Sequence, residues 1–475
     1  MNYLSTRGAA EKLGFEEVLL AGLARDGGLF VPERWPALAP GDIAALAGQA
    51  YPQAAYRLLS PFLGDTIRAN DFQAMLDAAY ATFAHPATVP LVQIGPNDFL
   101  LELFHGPTLA FKDVAMQLLA RLMDHVLKRD KRRITILGAT SGDTGAAAIE
   151  AFRGRAAVDL FILHPEGRIS DVQRRQMTTV TDENVHNIAL QGTFDDCQAV
   201  LKALFNDLAF RDRLALAGIN SINWARVMAQ SVYYATAAAS LGAPHRRVAF
   251  SVPTGNFGDI YAGYVAAKMG LAIDRLVVAT NVNDILVRTL RTGRYELRRV
   301  SATQSPSMDI QVASNFERLL FDLAGRDGKR VRHMMDALAR NGVFSLERAM
   351  LDEARALFSA YSCDEGETTE TIRAVHRSTG LVIDPHTAVG VAAAGKARAG
   401  GEIAAETPLV VLATAHPAKF PDAVEKAVGF KPALPARMGD LHARPERCEV
   451  LPHDAVSVAR FIEAHARVAG REAAQ

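Results

Sequence analysis

Apolar runs of strand length alternate with stretches of helical period through most of this chain. Ala115, Leu118, Leu119, Leu122, Met123 and Val126 fall on one face of a helix starting at Asp113, with charges on the other face. Residues 133–137 then read as a strand, a Gly/Ser/Thr turn follows, and residues 146–152 read as a helix ended by Gly154. Residues 158–163 supply the next strand and complete a βαβ unit. The pattern returns as a strand at 247–252, a helix at 259–269 and a strand at 276–279. It returns again as a strand at 381–383, a helix at 387–398 and a strand at 409–413. Alternation of this kind predicts an α/β protein with mostly parallel sheets covered on both faces, which places ligands just beyond the carboxyl ends of the strands.

The flanks have a different texture. Residues 1–85 read as short helices and turns, with punctuation at Asp26-Gly27-Gly28. Residues 86–430 carry the alternating pattern, with a smaller α/β subdomain at about 113–240, and residues 431–475 read as a Pro-, Ala- and Arg-rich appendage. Residues 347–361 and 367–378 predict amphipathic helices suited to covering a crevice or forming an interface.

Four segments beyond strands carry candidate chemistry. Gly138-Ala139-Thr140-Ser141-Gly142-Asp143-Thr144-Gly145 opens a helix N-terminus that favours anions, and serves equally as a capping segment. Thr254-Gly255-Asn256-Phe257-Gly258-Asp259 lets successive backbone N–H groups cradle a phosphate ahead of a helix dipole. It is neither a Walker loop nor a dinucleotide fingerprint. Thr414 sits at a strand end, where its hydroxyl can face a crevice or satisfy local backbone. Finally, Lys112 stands at a helix start, where a cation is electrostatically disfavoured, and Leu109, Ala110 and Phe111 surround it with apolar bulk. A desolvated lysine able to attack a carbonyl explains that placement.

Composition narrows the classes. Lys plus Arg and Asp plus Glu number 52 each, which argues against a nucleic-acid binder working by bulk charge. The three cysteines, Cys197, Cys363 and Cys448, are too scattered for a disulfide framework or a zinc site, so no metal is expected and a reducing compartment fits. Glu16 and Glu17 stand where a secretory leader needs positive charge, and no apolar run is long enough to span a bilayer. A cytoplasmic protein without membrane partners is the expectation.

Taken in order, Tyr3-Leu4-Ser5-Thr6-Arg7-Gly8, Asp26-Gly27-Gly28-Leu29-Phe30-Val31-Pro32, the Lys112 segment, Thr140 to Gly145, Asn220-Ser221-Ile222-Asn223-Trp224 and Thr254 to Asp259 resemble the threonine synthase family, within the fold type II pyridoxal-phosphate enzymes. That resemblance implies two three-layer α/β units with a small, mainly helical N-terminal domain. It implies pyridoxal 5'-phosphate held as a Schiff base on Lys112, its phosphate on the N–H groups of Gly255, Asn256, Phe257 and Gly258 with Asp259 beside them. Thr414 would meet the ring nitrogen, and Asp143 would stand where many relatives carry an Asn against the cofactor's 3'-oxygen.

Thr140, Ser141 and Thr144 become candidates for the substrate carboxylate, and Arg226 or Lys419 for a substrate phosphate, each equally readable as a surface charge. His386 and His416 read as satisfied structural histidines. The implied reaction is γ-elimination of phosphate from O-phospho-L-homoserine followed by water addition at Cβ, giving L-threonine, by a carbon–oxygen lyase acting on phosphate as monomer or homodimer. The alternatives are a phospho-lyase releasing 2-oxobutyrate and a non-catalytic module that binds pyridoxal phosphate or a phosphorylated amino acid.

Overall fold

Strands 248–253 and 273–280 are apolar over most of their length, apart from Ser251 in the first and Asp274, Arg275 and Thr280 in the second, and they lie in the interior of a six-stranded sheet. A computed structural model describes residues 1–468 of the chain. In sheet order the strands are Phe358–Ser362, Ile273–Thr280, Val248–Pro253, Leu409–Ala413, Asp98–Glu102 and Leu91–Gln93. Every neighbouring pair is parallel except the last, which is an antiparallel edge. Helix Pro385–Ala399 packs against the sheet through Ala388, Val389, Ala393 and Ala397, small residues that let it approach closely.

This sheet belongs to the first of two compact units, formed by Met1–Leu19, Leu23–Ala115 and Ser221–Pro432. The N-terminal segment joins the same unit. A three-stranded antiparallel sheet of Leu13–Gly14, Asn2–Ser5 and Phe30–Pro32 accompanies helices Tyr51–Leu63 and Ala69–Tyr80. Trp224, fully buried, meets Tyr3 at 6.0 Å and Phe62 at 5.7 Å between ring centroids, so this segment shares a core with helix Trp224–Ser240.

The second unit comprises Leu20–Gly22, Met116–Asn220 and the chain from Ala433 on. Its five-stranded parallel sheet runs Glu449–Pro452, Val185–Gln191, Val158–Pro165, Ile134–Ala139 and Leu216–Ala217. Among the described residues, no helix is long and apolar enough to cross a membrane.

Several expectations differ from this picture. The smaller unit is narrower than 113–240, because helix Trp224–Ser240 is buried nearly all round against helices Tyr51–Leu63 and Gly258–Lys268 of the first unit. Residues 431–468 are less an appendage than a part of the second unit. Strand Glu449–Pro452 extends its sheet, and Val458 and Ile462 of helix Ala455–His465 are fully buried in its core. The remainder of that stretch, 469–475, lies outside the described residues. Residues 381–383 form no strand; they lead directly into helix Pro385–Ala399, which Asp384 caps through the N–H groups of His386 and Thr387. The helix expected at 347–361 stops at Leu357, and Phe358–Ser362 instead pairs along Ile273–Thr280.

Candidate active site

Lys112 is the first residue of helix Lys112–Arg129 and is 9 % exposed, with Nζ 5.0 Å from the Phe111 ring centroid. The segment before it is tied down from several sides. Phe111 N–H donates to the Thr414 carbonyl at 2.8 Å and His416 N–H to the Leu109 carbonyl at 3.0 Å. The lysine's neighbour and the strand-end threonine are thereby held side by side. Asp113, fully buried, accepts from Thr108 N–H at 2.8 Å and Thr108 Oγ1 at 2.7 Å. Its charge in the first helical turn also favours the dipole that Lys112 opposes. Lys419 is no surface charge: it is fully buried and donates to the Thr108 carbonyl at 2.7 Å, bracing this segment.

The glycine loop follows strand Val248–Pro253 and opens helix Gly258–Lys268. Phe257 is the N-cap in the left-handed region, φ 63°, and no side chain caps the helix, so its first N–H groups face the loop. A Cβ on Gly255 would lie 2.4 Å from the Ser307 carbonyl oxygen, closer than any side chain allows. Ser307 is fixed in turn by donating its N–H to His386 Nε2 at 3.2 Å, while His386 Nδ1 meets Asp384 Oδ1 at 2.9 Å. With Nε2 accepting, the ring proton sits on Nδ1, and His386 is a satisfied structural histidine. His416 likewise closes a turn, accepting from Ala418 N–H at 3.2 Å.

Behind the loop, Asn315 N–H and Nδ2 donate to the Asn256 carbonyl at 3.0 and 3.1 Å. Asn315 Oδ1 accepts from the fully buried Arg318. A loop with uncapped N–H groups, a glycine that tolerates no side chain and a supported back suits a phosphate. Gly255→Ala is expected to displace the loop and weaken phosphate-ligand binding by about tenfold, or about 1.4 kcal/mol, measurable by equilibrium titration of the apo protein. Unchanged affinity would remove Gly255 from the cradle.

Asp259, in the first turn of that helix, is buried. Tyr233 and Tyr234 both donate to its Oδ1, Tyr234 at 3.1 Å, and Tyr234 also reaches the Asp259 carbonyl at 2.9 Å. Burial pushes the Asp259 carboxyl up to about 7, against the pull of the two hydroxyls and of the Lys112 charge. Arg226 is buried too, its guanidinium brought down to about 10 by burial, with Tyr233 acting on it in the opposite sense. Arg226, Tyr233, Asp259 and Lys112 are therefore electrostatically linked within the first unit. Nothing in the local sequence pairs Tyr233, Tyr234 or Arg318 with these loops, and reading by motif misses all three.

In the second unit, strand Ile134–Ala139 delivers Thr140, whose Oγ1 accepts from Gly142 and Gly145 N–H groups, both at 2.9 Å. Thr140 thus closes the turn, while Ser141 and Thr144 are half-buried at the start of helix Asp143–Phe152. Gly142 has φ 138°, and a Cβ there would collide with Gln173 at 2.5 Å. Gln173 Nε2 donates to the buried Asp143 Oδ1 at 2.8 Å, which fixes that carboxylate.

Three family models match in succession: "Threonine synthase N terminus" at residues 2–80, "Pyridoxal-phosphate dependent enzyme" at 93–415 and "Threonine synthase, C-terminal" at 387–462. The threonine synthase of Pseudomonas aeruginosa is 54 % identical, with 98 % of each chain covered. The structure of a PLP-bound threonine synthase from Brucella melitensis is 55 % identical with a TM-score of 0.95, covering 98 % of this chain and 100 % of that one. The yeast threonine synthase structure has a TM-score of 0.92 at 39 % identity, with 98 % of each chain covered.

Proposed function

Because the chain belongs to the threonine synthase family of pyridoxal-phosphate-dependent enzymes, we propose that it converts O-phospho-L-homoserine and water into L-threonine and phosphate. The observation that carries this reading is the joining, within one unit, of Lys112, the uncapped glycine loop and Thr414. When bound, pyridoxal 5'-phosphate supplies an electron sink for charge developing at the substrate's α-carbon.

The chain's own residues do the rest. Gly255, Asn256, Phe257 and Gly258 would hold the cofactor phosphate by their N–H groups, and Thr414 would offer its hydroxyl to the ring nitrogen. Asp143, held by Gln173, is assigned to the 3'-oxygen. Lys112 would be the covalent attachment point, and its amine would remove the proton from Cα and move those at Cβ and Cγ.

Ser141 and Thr144 are the hydroxyls assigned to the substrate carboxylate, with Thr140 shaping the turn that presents them. Arg226, a buried cation on helix Trp224–Ser240, is the residue proposed for the substrate phosphate. Lys419 donates to the Thr108 carbonyl and is assigned to bracing the segment before Lys112. The balanced charge supports action without nucleic acid, and the scattered cysteines support a reducing compartment, the cytoplasm, where the chain would act as a monomer or homodimer.

Purified protein given O-phospho-L-homoserine is expected to release threonine and phosphate in equal amounts. Release of 2-oxobutyrate in place of threonine would make it a phospho-lyase. Neither product, with cofactor bound, would leave only a binding module.

A further inference from the structure

We infer that Asp259 is the proton-carrying member of the cradle: an anion on residues 255–258 and a negative Asp259 carboxylate exclude one another, so the protein gains a proton on Asp259 when phosphate binds. This rests on the cofactor reading above and adds to it a role for the Asp259 side chain. The geometry is the argument. Asp259 directly follows the cradle in the first turn of helix Gly258–Lys268, and its carboxyl is buried. Oδ1 takes both tyrosine hydroxyls, whereas Oδ2 is buried with no hydrogen-bond partner. A bare, buried carboxylate oxygen is costly, and a phosphate dianion close by raises that cost further. A proton on Oδ2 removes the repulsion and turns a bare acceptor into a donor.

The groups that act on Asp259 are few. Tyr233 and Tyr234 come from helix Trp224–Ser240 and Lys112 from helix Lys112–Arg129, and each favours the carboxylate. Tyr51, from helix Tyr51–Leu63, and Arg226 act on Tyr233 behind them. On helix Phe316–Leu323, which also packs here, Glu317 acts on Arg7, and Arg318 and Asp322 act on Tyr261.

The sign follows from these groups. In the free protein the carboxyl titrates at about 7. Below that pH it already carries its proton, so binding takes up none and affinity is flat. Above it the carboxylate must be protonated for the anion to bind. Affinity then falls by up to about tenfold per pH unit while uptake rises toward one proton.

The test is calorimetry of pyridoxal phosphate binding to the apo protein, in buffers of different ionisation heat, from pH 6 to 8.5. The native protein is expected to take up about half a proton more than Asp259→Asn at pH 7, and about one more at pH 8. Proton changes on the cofactor and on Lys112 are separated by repeating the titration with sulfate, in which neither takes part. Tyr233→Phe removes a donor that favours the carboxylate, so its bend in affinity is expected at higher pH. That variant keeps the test decisive if Asp259→Asn does not fold.

Sulfate, which neither titrates here nor bonds to Lys112, should bind the native apo protein with a dissociation constant of its own that rises with pH. In Asp259→Asn that rise should be smaller. Equal proton uptake by two proteins that both bind cofactor overturns the inference, as does an unshifted bend in Tyr233→Phe. Failure of the native protein to bind pyridoxal phosphate at any pH instead overturns the underlying cofactor reading, and the inference with it.

Discussion

Lys112→Ala is expected to lower kcat by at least about a thousandfold while leaving the folded structure intact. The change should also abolish the visible absorbance and the borohydride-trapped adduct of lysine-bound cofactor. The magnitude follows from what one side chain is proposed to do: hold the cofactor, take protons from Cα and Cβ, and return one at Cγ. The selectivity follows from its surroundings. Thr108, Asp113, Lys419 and the Thr414 carbonyl hold the segment without drawing on the Lys112 side chain in these bonds. Removing a buried amine from beside Phe111 therefore frees space without undoing the loop. Cofactor should still bind through its phosphate, more weakly. Activity within about tenfold of the native protein would show that another group is the base.

Arg318→Met should destabilise the first unit by about 3 kcal/mol, read as a shift in the denaturant midpoint. The guanidinium is fully buried, donates to the Phe30 carbonyl at 2.9 Å and the Ile222 carbonyl at 2.6 Å, and reaches Asn315 Oδ1. Methionine fills most of the volume but leaves those acceptors buried and unmet. Burial already presses the Arg318 charge down to about 10, so part of its gain is spent on desolvation, which keeps the expected loss moderate. Arg318→Lys should not rescue, because one ammonium cannot reproduce the planar fork across three acceptors. Cofactor affinity should fall as well, since Asn315 holds the Asn256 carbonyl behind the cradle. A midpoint unchanged in both variants would reduce Arg318 to filler.

The elements legible in the sequence are those whose signal is local. Strand 409–413 is apolar throughout and strand 248–253 is broken only by the buried Ser251, and the strand-end threonine and the glycine loop follow them directly. Lys112 announced itself by the conflict between its charge and a helix start. Where local signal fades, the reading failed. Residues 358–362 continue an amphipathic period, and only pairing with Ile273–Thr280 makes them a strand. The strand Glu449–Pro452 is mostly exposed and carries little apolar pattern, so its place at the sheet edge is set by the parallel partner Val185–Gln191.

The supports of the site are further beyond reach of a local reading. Lys419 and Thr108 stand 311 positions apart, Arg318 and Phe30 288, and Arg318 and Ile222 96. By itself the sequence determined the alternation of strand and helix, and hence which loops lie at strand ends. Both properties follow from hydrophobic period and backbone preference over a few residues. Only the tertiary structure decided that Lys419 is an internal brace, that Thr140 closes its own turn, and that the Asp259 carboxyl is buried against the hydroxyls of Tyr233 and Tyr234. Burial sets the charge state of such groups, and burial is a property of the packed chain.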